Sequence, residues 1–73
     1  MKHLLTVIIE REGDGFTALC PELDIASQGD TAEAARLNLS EAVELFFECA
    51  SPEEVRRRLS SEVYVTRIEV AVG

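Results

Sequence analysis

One long amphipathic helix, in a chain whose other segments read as strands, limits most strongly what this sequence can fold into. Residues 30–50 predict a helix of some 20 residues, about 30 Å long. Its apolar side chains recur at helical spacing and share one stripe: Ala35, Leu39, Ala42, Val43, Phe46 and Ala50. A single helix can cover only one face of a small sheet. The strands must therefore supply the rest of the core, and one sheet face stays bare.

The sequence contains start signals for two helices. Gly29 allows the backbone to bend, and Asp30 is the preferred N-cap, with Glu33 completing a capping box. Thr31 is the alternative cap, less favoured because it would place Ala34 at the box position. A second, short helix is predicted through Leu59, since residues 51–54 read Ser-Pro-Glu-Glu, a cap followed by proline at the first helical position.

Four segments have strand character: 2–11, 16–20, 25–28 and 62–72. Asp14-Gly15 is a hairpin signal between the first two, and Pro21 to Asp24 makes the next turn. The last segment is the longest, with Tyr64, Thr66, Ile68, Val70 and Val72 on one face and Val63, Val65, Arg67, Glu69 and Ala71 on the other.

The predicted fold is a single α+β domain over residues 1–73, ordered β-β-β-α-(short α)-β. A helical crossover places the last strand parallel to the first, which gives a four-stranded mixed sheet of order 3-2-1-4 with the long helix on one face. The candidates for the uncovered face, as a partner or oligomer surface, are Leu4, Ile8, Leu19, Val63 and Val65. The assignment can be inverted, because strand one is apolar on both sides. Leu37, across the helix from the stripe, is a further contact candidate.

Charge and size narrow the class of partner. The net charge of −7 argues against direct nucleic-acid binding and favours a basic protein partner. Arg56 to Arg58 lie among glutamates, so they are read as a solvated helix face in preference to a phosphate site. A domain this small buries a limited fraction of its surface on folding, so its stability is marginal. Association with a second copy would add buried surface, which favours a homo-dimer or higher homo-oligomer. With no signal-peptide or membrane-span pattern, a cytoplasmic location is expected.

No catalytic, metal or cofactor constellation stands out in the sequence, so a non-enzymatic role is predicted. His3 has no partner at ligand spacing, and Cys20 and Cys49 are read as buried free thiols. Asp14, Glu22, Asp24 and Asp30 could in principle gather a hard cation around the loops. Turn and cap roles already account for two of these four.

The middle of the chain resembles the HicB-like antitoxins. The resemblance rests on Leu19 to Asp24, Ser27 to Thr31, Glu33-Ala34, Asn38-Leu39 and Glu41 to Leu45. That family shows a Pro-acidic-Leu turn, a short strand ending in (Ser/Thr)-Gln-Gly-Asp-Thr, and a helix with two Glu-Ala pairs. The family-motif structural residues here are Pro21, Leu23, Gly29, Asp30, Thr31 and Glu33. Ile25-Ala26 replaces the usual Gly-Cys, and no C-terminal DNA-binding module is expected.

The resemblance implies a partial ribonuclease H-like fold, oligomerisation and neutralisation of a small basic HicA-type toxin that cleaves RNA. Two alternatives stay open. One is a stand-alone oligomeric domain without a toxin partner, and the other is a degenerate ribonuclease H-like nuclease. A fold alone does not carry activity, and two-metal hydrolysis needs several converging carboxylates.

Overall fold

A computed structural model describes residues 3–73, and it confirms the α+β class. The elements are β1 (Ile8–Glu12), β2 (Gly15–Cys20), β3 (Ile25–Gly29), α1 (Ala32–Cys49) and α2 (Pro52–Leu59). The three strands form an antiparallel meander in the order β1-β2-β3, with Ile8 opposite Leu19 and Cys20 opposite Ile25. The second and third strands and both helices form where the sequence predicts them, whereas the first strand occupies only the latter part of its predicted range.

The β1-β2 hairpin turns one residue earlier than the Asp-Gly signal predicts. Glu12 pairs with Gly15, so the two loop residues are Gly13 and Asp14. Gly13 has a φ of +59°, and glycine at the first loop position of a two-residue hairpin is the type II′ pattern. The correction has a simple cause: either glycine could take the left-handed position, and strand pairing selects Gly13.

The core lies between α1 and one face of the sheet. Its fully buried residues are Ala18, Cys20, Leu23, Ala35 and Leu39. Ala18 and Cys20 alternate on β2, which identifies their face as the one that α1 covers. The predicted helix stripe is confirmed, since Val43 and Phe46 pack against this core. Leu37 lies away from it and is 50% exposed.

The N-cap of α1 is Thr31, which corrects the preference for Asp30. The Thr31 hydroxyl accepts a hydrogen bond of 3.0 Å from the backbone N–H of Ala34. Glu33 does not close a capping box, because its carboxylate accepts hydrogen bonds from the Arg36 guanidinium one turn on. The Glu33 side chain, which the capping box requires, is therefore engaged in an ion pair with Arg36 within the helix.

Alanine substitutions should distinguish Thr31 from Asp30 as the N-cap of α1. Thr31→Ala is expected to lower the free energy of unfolding by about 1 kcal/mol, since it leaves a first-turn N–H without its acceptor. Asp30→Ala, one residue earlier, is the matched control and should cost no more than about 0.5 kcal/mol. Urea denaturation at one protein concentration measures both. A larger loss for Asp30→Ala would contradict the assignment.

α2 is anchored to the sheet through Arg58. Ser51 caps this helix as predicted, accepting from the Glu54 N–H at 3.1 Å. The Arg58 guanidinium donates to the Leu23 carbonyl and to Glu54, and lies 5.2 Å from the centre of the Phe46 ring. One of the three clustered arginines is therefore committed to holding the fold.

The fourth strand predicted at residues 62–72 is not found in the sheet of residues 3–73. Residues 62–73 have no regular secondary structure and are all exposed. The radius of gyration is 14.4 Å, against about 11 Å expected for a compact chain of this length. The predicted order 3-2-1-4 is thus observed only as 3-2-1. The alternating pattern reports a tendency to pair, but pairing also needs a strand edge within reach. Strand one is shorter than predicted, beginning at Ile8, and Lys2 lies outside the described residues.

Candidate interaction surface

Neither described helix packs on the face of the sheet opposite α1, where Ile8 and Leu19 are half-buried. A shallow depression there is lined by Ile8, Glu10, Glu12, Thr17, Leu19 and Ala26. Ile8 and Leu19 pair across β1 and β2 at its apolar centre. The Thr17 hydroxyl donates to Glu12 at 2.5 Å, which fixes one carboxylate at the border. We call this the uncovered face: an apolar patch bordered by negative charge.

The second open feature is the outer edge of β1. Only β2 pairs with β1 in the described sheet, so the other side of β1 offers unpaired backbone groups. Beside that edge, on the α1 side, runs a groove of about 210 Å³. Its lining is mainly apolar: Leu5, Val7, Cys20, Leu39 and Val43, with Arg36 and Ser40. We call it the edge groove. Val7 and Ile9 stay partly exposed there because α1 lies mainly over β2 and β3.

The third feature is the segment that follows α2, residues 62–73, which we call the tail. Its large apolar side chains face solvent: Tyr64 and Ile68 are each 83% exposed and Val72 is 92% exposed. The Tyr64 hydroxyl donates to Glu62 at 3.2 Å, a contact within the tail itself. The tail therefore concentrates exposed apolar side chains on one segment of the chain.

The structure brings only two of the six sequence-predicted contact residues together. Ile8 and Leu19 are neighbours on the uncovered face. Leu4 precedes β1 and lines a separate depression beside the α1 residues Val43 and Phe47. The remaining three candidates are dispersed, with Leu37 on the outer side of α1 and Val63 and Val65 on the tail. Sequence reasoning missed the edge groove, because helix periodicity does not show where along the sheet the helix lies.

The Pro21–Asp24 turn carries a polar cluster that the sequence did not reveal. The Glu22 carboxylate accepts the Thr6 N–H at 3.0 and 3.1 Å and the Thr6 hydroxyl at 2.6 Å. Burial acts to raise the pKa of Glu22, but the hydrogen bonds from Thr6 and others outweigh it and lower the pKa below 4.5. This clamp holds the segment before β1, and hence the edge groove, against the turn.

The two cysteines differ in environment. Cys20 is buried under α1, as predicted, and its thiol contacts Glu22 at 3.6 Å. Burial raises the pKa of Cys20, and the neighbouring carboxylate raises it further, so the thiol stays protonated at neutral pH. Cys49 is exposed, which corrects its prediction as a buried thiol. It is the last residue of α1.

Glu22→Gln should destabilise the protein in a pH-dependent way. Because the folded pKa is lower than the unfolded one, the carboxylate stabilises the fold above pH 4.5 and loses that effect as pH falls. We expect a loss of about 1 kcal/mol at pH 7, since the site is partly solvated. The loss should shrink below about pH 4. Chemical denaturation from pH 3 to 7 measures it, with exposed Glu41→Gln as the control; an equal loss at every pH would refute the clamp.

No three histidine, cysteine or acidic side chains within residues 3–73 are grouped so that they could hold a metal ion. The four loop carboxylates therefore do not converge on one site in the described part of the chain. Neither helix of the described chain is long and apolar enough to cross a membrane.

Comparison with known proteins identifies relatives along most of this length. The chain is 44% identical over 64 residues to UPF0150 protein ssl0738 of Synechocystis sp. (strain PCC 6803), covering 85% of this chain and 88% of that protein. The chain belongs to the UPF0150 family. UPF0150 protein ssr1765 of the same organism is 51% identical over 45 residues, covering 59% of this chain and 57% of the relative. No family model and no solved structure matches this UPF0150 protein.

Proposed function

We propose that this UPF0150 protein is a non-enzymatic antitoxin of the HicB type, which binds and neutralises a small basic HicA-type toxin that cleaves RNA. The observation that carries the proposal is the uncovered face. Ile8 and Leu19 give it an apolar centre, and Glu10 and Glu12 supply carboxylates at its border. A basic partner would bury the former and pair with the latter.

The charge of the whole chain supports the same class of partner. A net charge of −7 on 73 residues steers basic proteins toward the domain and repels nucleic acid. The HicB-like pattern of residues 19–45 lies on the elements that shape the core: β2, the following turn, β3 and the first half of α1. In this proposal those motif residues build the scaffold, and the binding contacts come from the uncovered face.

The proposal also includes a partial ribonuclease H-like arrangement, completed by a fourth strand beside β1. The 3-2-1 meander with one long helix on a single face is compatible with that arrangement. The open edge of β1 is where a fourth strand would lie. A small domain that exposes both an edge and a face is suited to working within a complex.

Co-expression with a HicA-type toxin encoded beside this gene tests the function. We expect the wild-type chain to restore growth of cells producing the toxin and to co-purify with it. Leu19→Lys and Ile8→Lys should weaken binding by about 100-fold, because each places a cation at the centre of a surface proposed to meet a basic protein.

Leu45→Lys is the matched control, since Leu45 is an exposed leucine on α1 and away from the uncovered face. It should change binding by less than about threefold. Circular dichroism verifies that each variant keeps its helices. Absence of both binding and rescue by the folded wild-type chain would overturn the proposal, and equal effects of the three lysine variants would exclude the uncovered face as the binding surface.

A further inference from the structure

We propose that the tail of one copy forms the fourth strand of a second copy, along the outer edge of β1, and that the exchange is reciprocal in a two-fold dimer. Each copy carries both halves of the interaction. Within residues 3–73, the outer edge of β1 has no strand neighbour, and residues 62–72 have a strand pattern but pair with no strand. This inference concerns the chain alone and stands independently of any toxin.

The β1 edge suits an incoming strand better than the β3 edge does. At β3, the Asn38 side chain donates to the Gln28 carbonyl at 2.7 Å, so α1 already satisfies part of that strand. The β1 side has the edge groove, whose apolar lining α1 leaves partly exposed. An added strand there would gain backbone hydrogen bonds and cover apolar surface in the same step.

The two faces of the tail match the two sides of the sheet. One face begins with Glu62 and then carries only uncharged side chains: Tyr64, Thr66, Ile68, Val70 and Val72. Placed at the β1 edge, this face fills the edge groove against Leu39 and Val43 of α1. The exposed tail side chains would then extend the small core of the receiving copy.

The other face of the tail is mixed and suits the uncovered face. It carries Arg67, the only cation in the tail, together with Glu69, and the proposed placement sets Arg67 beside a sheet surface that bears Glu10 and Glu12. Cross-strand pairs of opposite charge favour one placement of a strand over its inverted alternative. The apolar face therefore selects this orientation of the tail, and Arg67 adds a local contact with the sheet carboxylates.

The accessible surface area of the single chain is larger than that of a compact protein of the same mass, which supports burial against a second copy. Its accessible area is 6008 Å², whereas a compact protein of 8.1 kDa exposes roughly 4,500 Å². The excess is larger than the about 800 Å² per partner that a standard protein interface buries. A second copy whose tail covers the edge groove supplies burial of that size to both chains.

The link between α2 and the tail favours exchange over folding back. Only Ser60 and Ser61 separate Leu59 from the tail, and both are bonded to the end of α2. The Ser60 N–H donates to Arg56 at 3.0 Å and the Ser61 N–H to Arg58 at 3.3 Å. Arg58 in turn holds α2 to the sheet. A short, tethered hinge restricts how far the tail can turn toward its own β1, and short hinges favour exchange between copies.

Native mass spectrometry and isotope-filtered NMR on the full-length chain test the exchange. A sample mixed from ¹³C,¹⁵N-labelled and unlabelled protein shows only contacts between different copies. We expect a dimer mass and intermolecular contacts from the methyl groups of Ile68, Val70 and Val72 to those of Leu39 and Val43. A monomer would overturn the proposal, and so would a dimer in which these contacts are intramolecular or absent.

A matched pair of tail variants locates the interface. Ile68→Lys, on the apolar face, should raise the dimer dissociation constant by at least about 100-fold. Ala71→Lys, on the mixed face, should change it by less than about threefold. Circular dichroism should show the helices of both variants intact, since these side chains are exposed in the single chain. Equal effects of the two variants would refute the orientation. Because no toxin is present, failure here is distinguishable from failure of the antitoxin proposal.

Discussion

Gly29→Ala is expected to lower the free energy of unfolding by about 3 kcal/mol, at the upper end of the range for overpacked sites. Gly29 ends β3 directly below the first turn of α1. A Cβ there would lie 2.4 Å from the Ala35 nitrogen and 2.7 Å from the Ala34 carbonyl carbon. Both are backbone atoms, so relief requires the helix to move away from the sheet. Urea denaturation measures the loss at a fixed protein concentration.

Two further variants isolate the cause of that loss. Gly13→Asn changes a glycine with open space around it, so its loss comes from the positive φ alone and should stay at about 1 kcal/mol. Ala34→Gly added to Gly29→Ala removes the side-chain contact at 2.9 Å but neither backbone contact, and it should not restore stability. Full restoration by Ala34→Gly would show that the side chain, not the helix backbone, limits this site.

Local sequence patterns predict most of the hydrophobic core. The stripe through Leu39 and Val43 follows from helical periodicity alone, and the alternation of Ala18 and Cys20 gives the face of β2 that the helix covers. These signals are reliable here because each depends only on neighbours along the chain. The N-cap was harder, since Asp30 and Thr31 are both good caps and the choice depends on where β3 releases the chain.

The interaction surfaces could be predicted only in part. Pairing of Ile8 with Leu19 follows from the hairpin, so that portion of the uncovered face was accessible from sequence. The edge groove was not, because it depends on α1 lying toward β3. The role of Glu22 was also hidden, since its partner Thr6 is 16 residues away and in no regular element. The prediction of a fourth strand fails for a different reason. The alternating pattern of residues 62–72 indicates a strand but does not specify its neighbour, so these residues could pair with any open sheet edge, including one on another molecule.

Leu23→Ala is expected to cost about 3 kcal/mol as well, through loss of packing rather than overcrowding. Leu23 lies in the turn between β2 and β3 and is fully buried. It is the part of the Pro-acidic-Leu motif that enters the core, whereas Glu22 beside it makes the clamp to Thr6. Leu23 also links this turn to α2, because its backbone carbonyl accepts a hydrogen bond from the Arg58 guanidinium.

The size of that effect decides how the motif should be understood. A domain of 73 residues has a total stability of about 4–11 kcal/mol, so a loss near 3 kcal/mol would remove a large fraction of it. Leu45→Ala, at an exposed leucine of α1, is the control and should remain within about 0.5 kcal/mol of the wild type. Matching losses at both positions would contradict a core role for Leu23. A loss confined to Leu23 would show that this residue of the Pro-acidic-Leu motif is part of the scaffold.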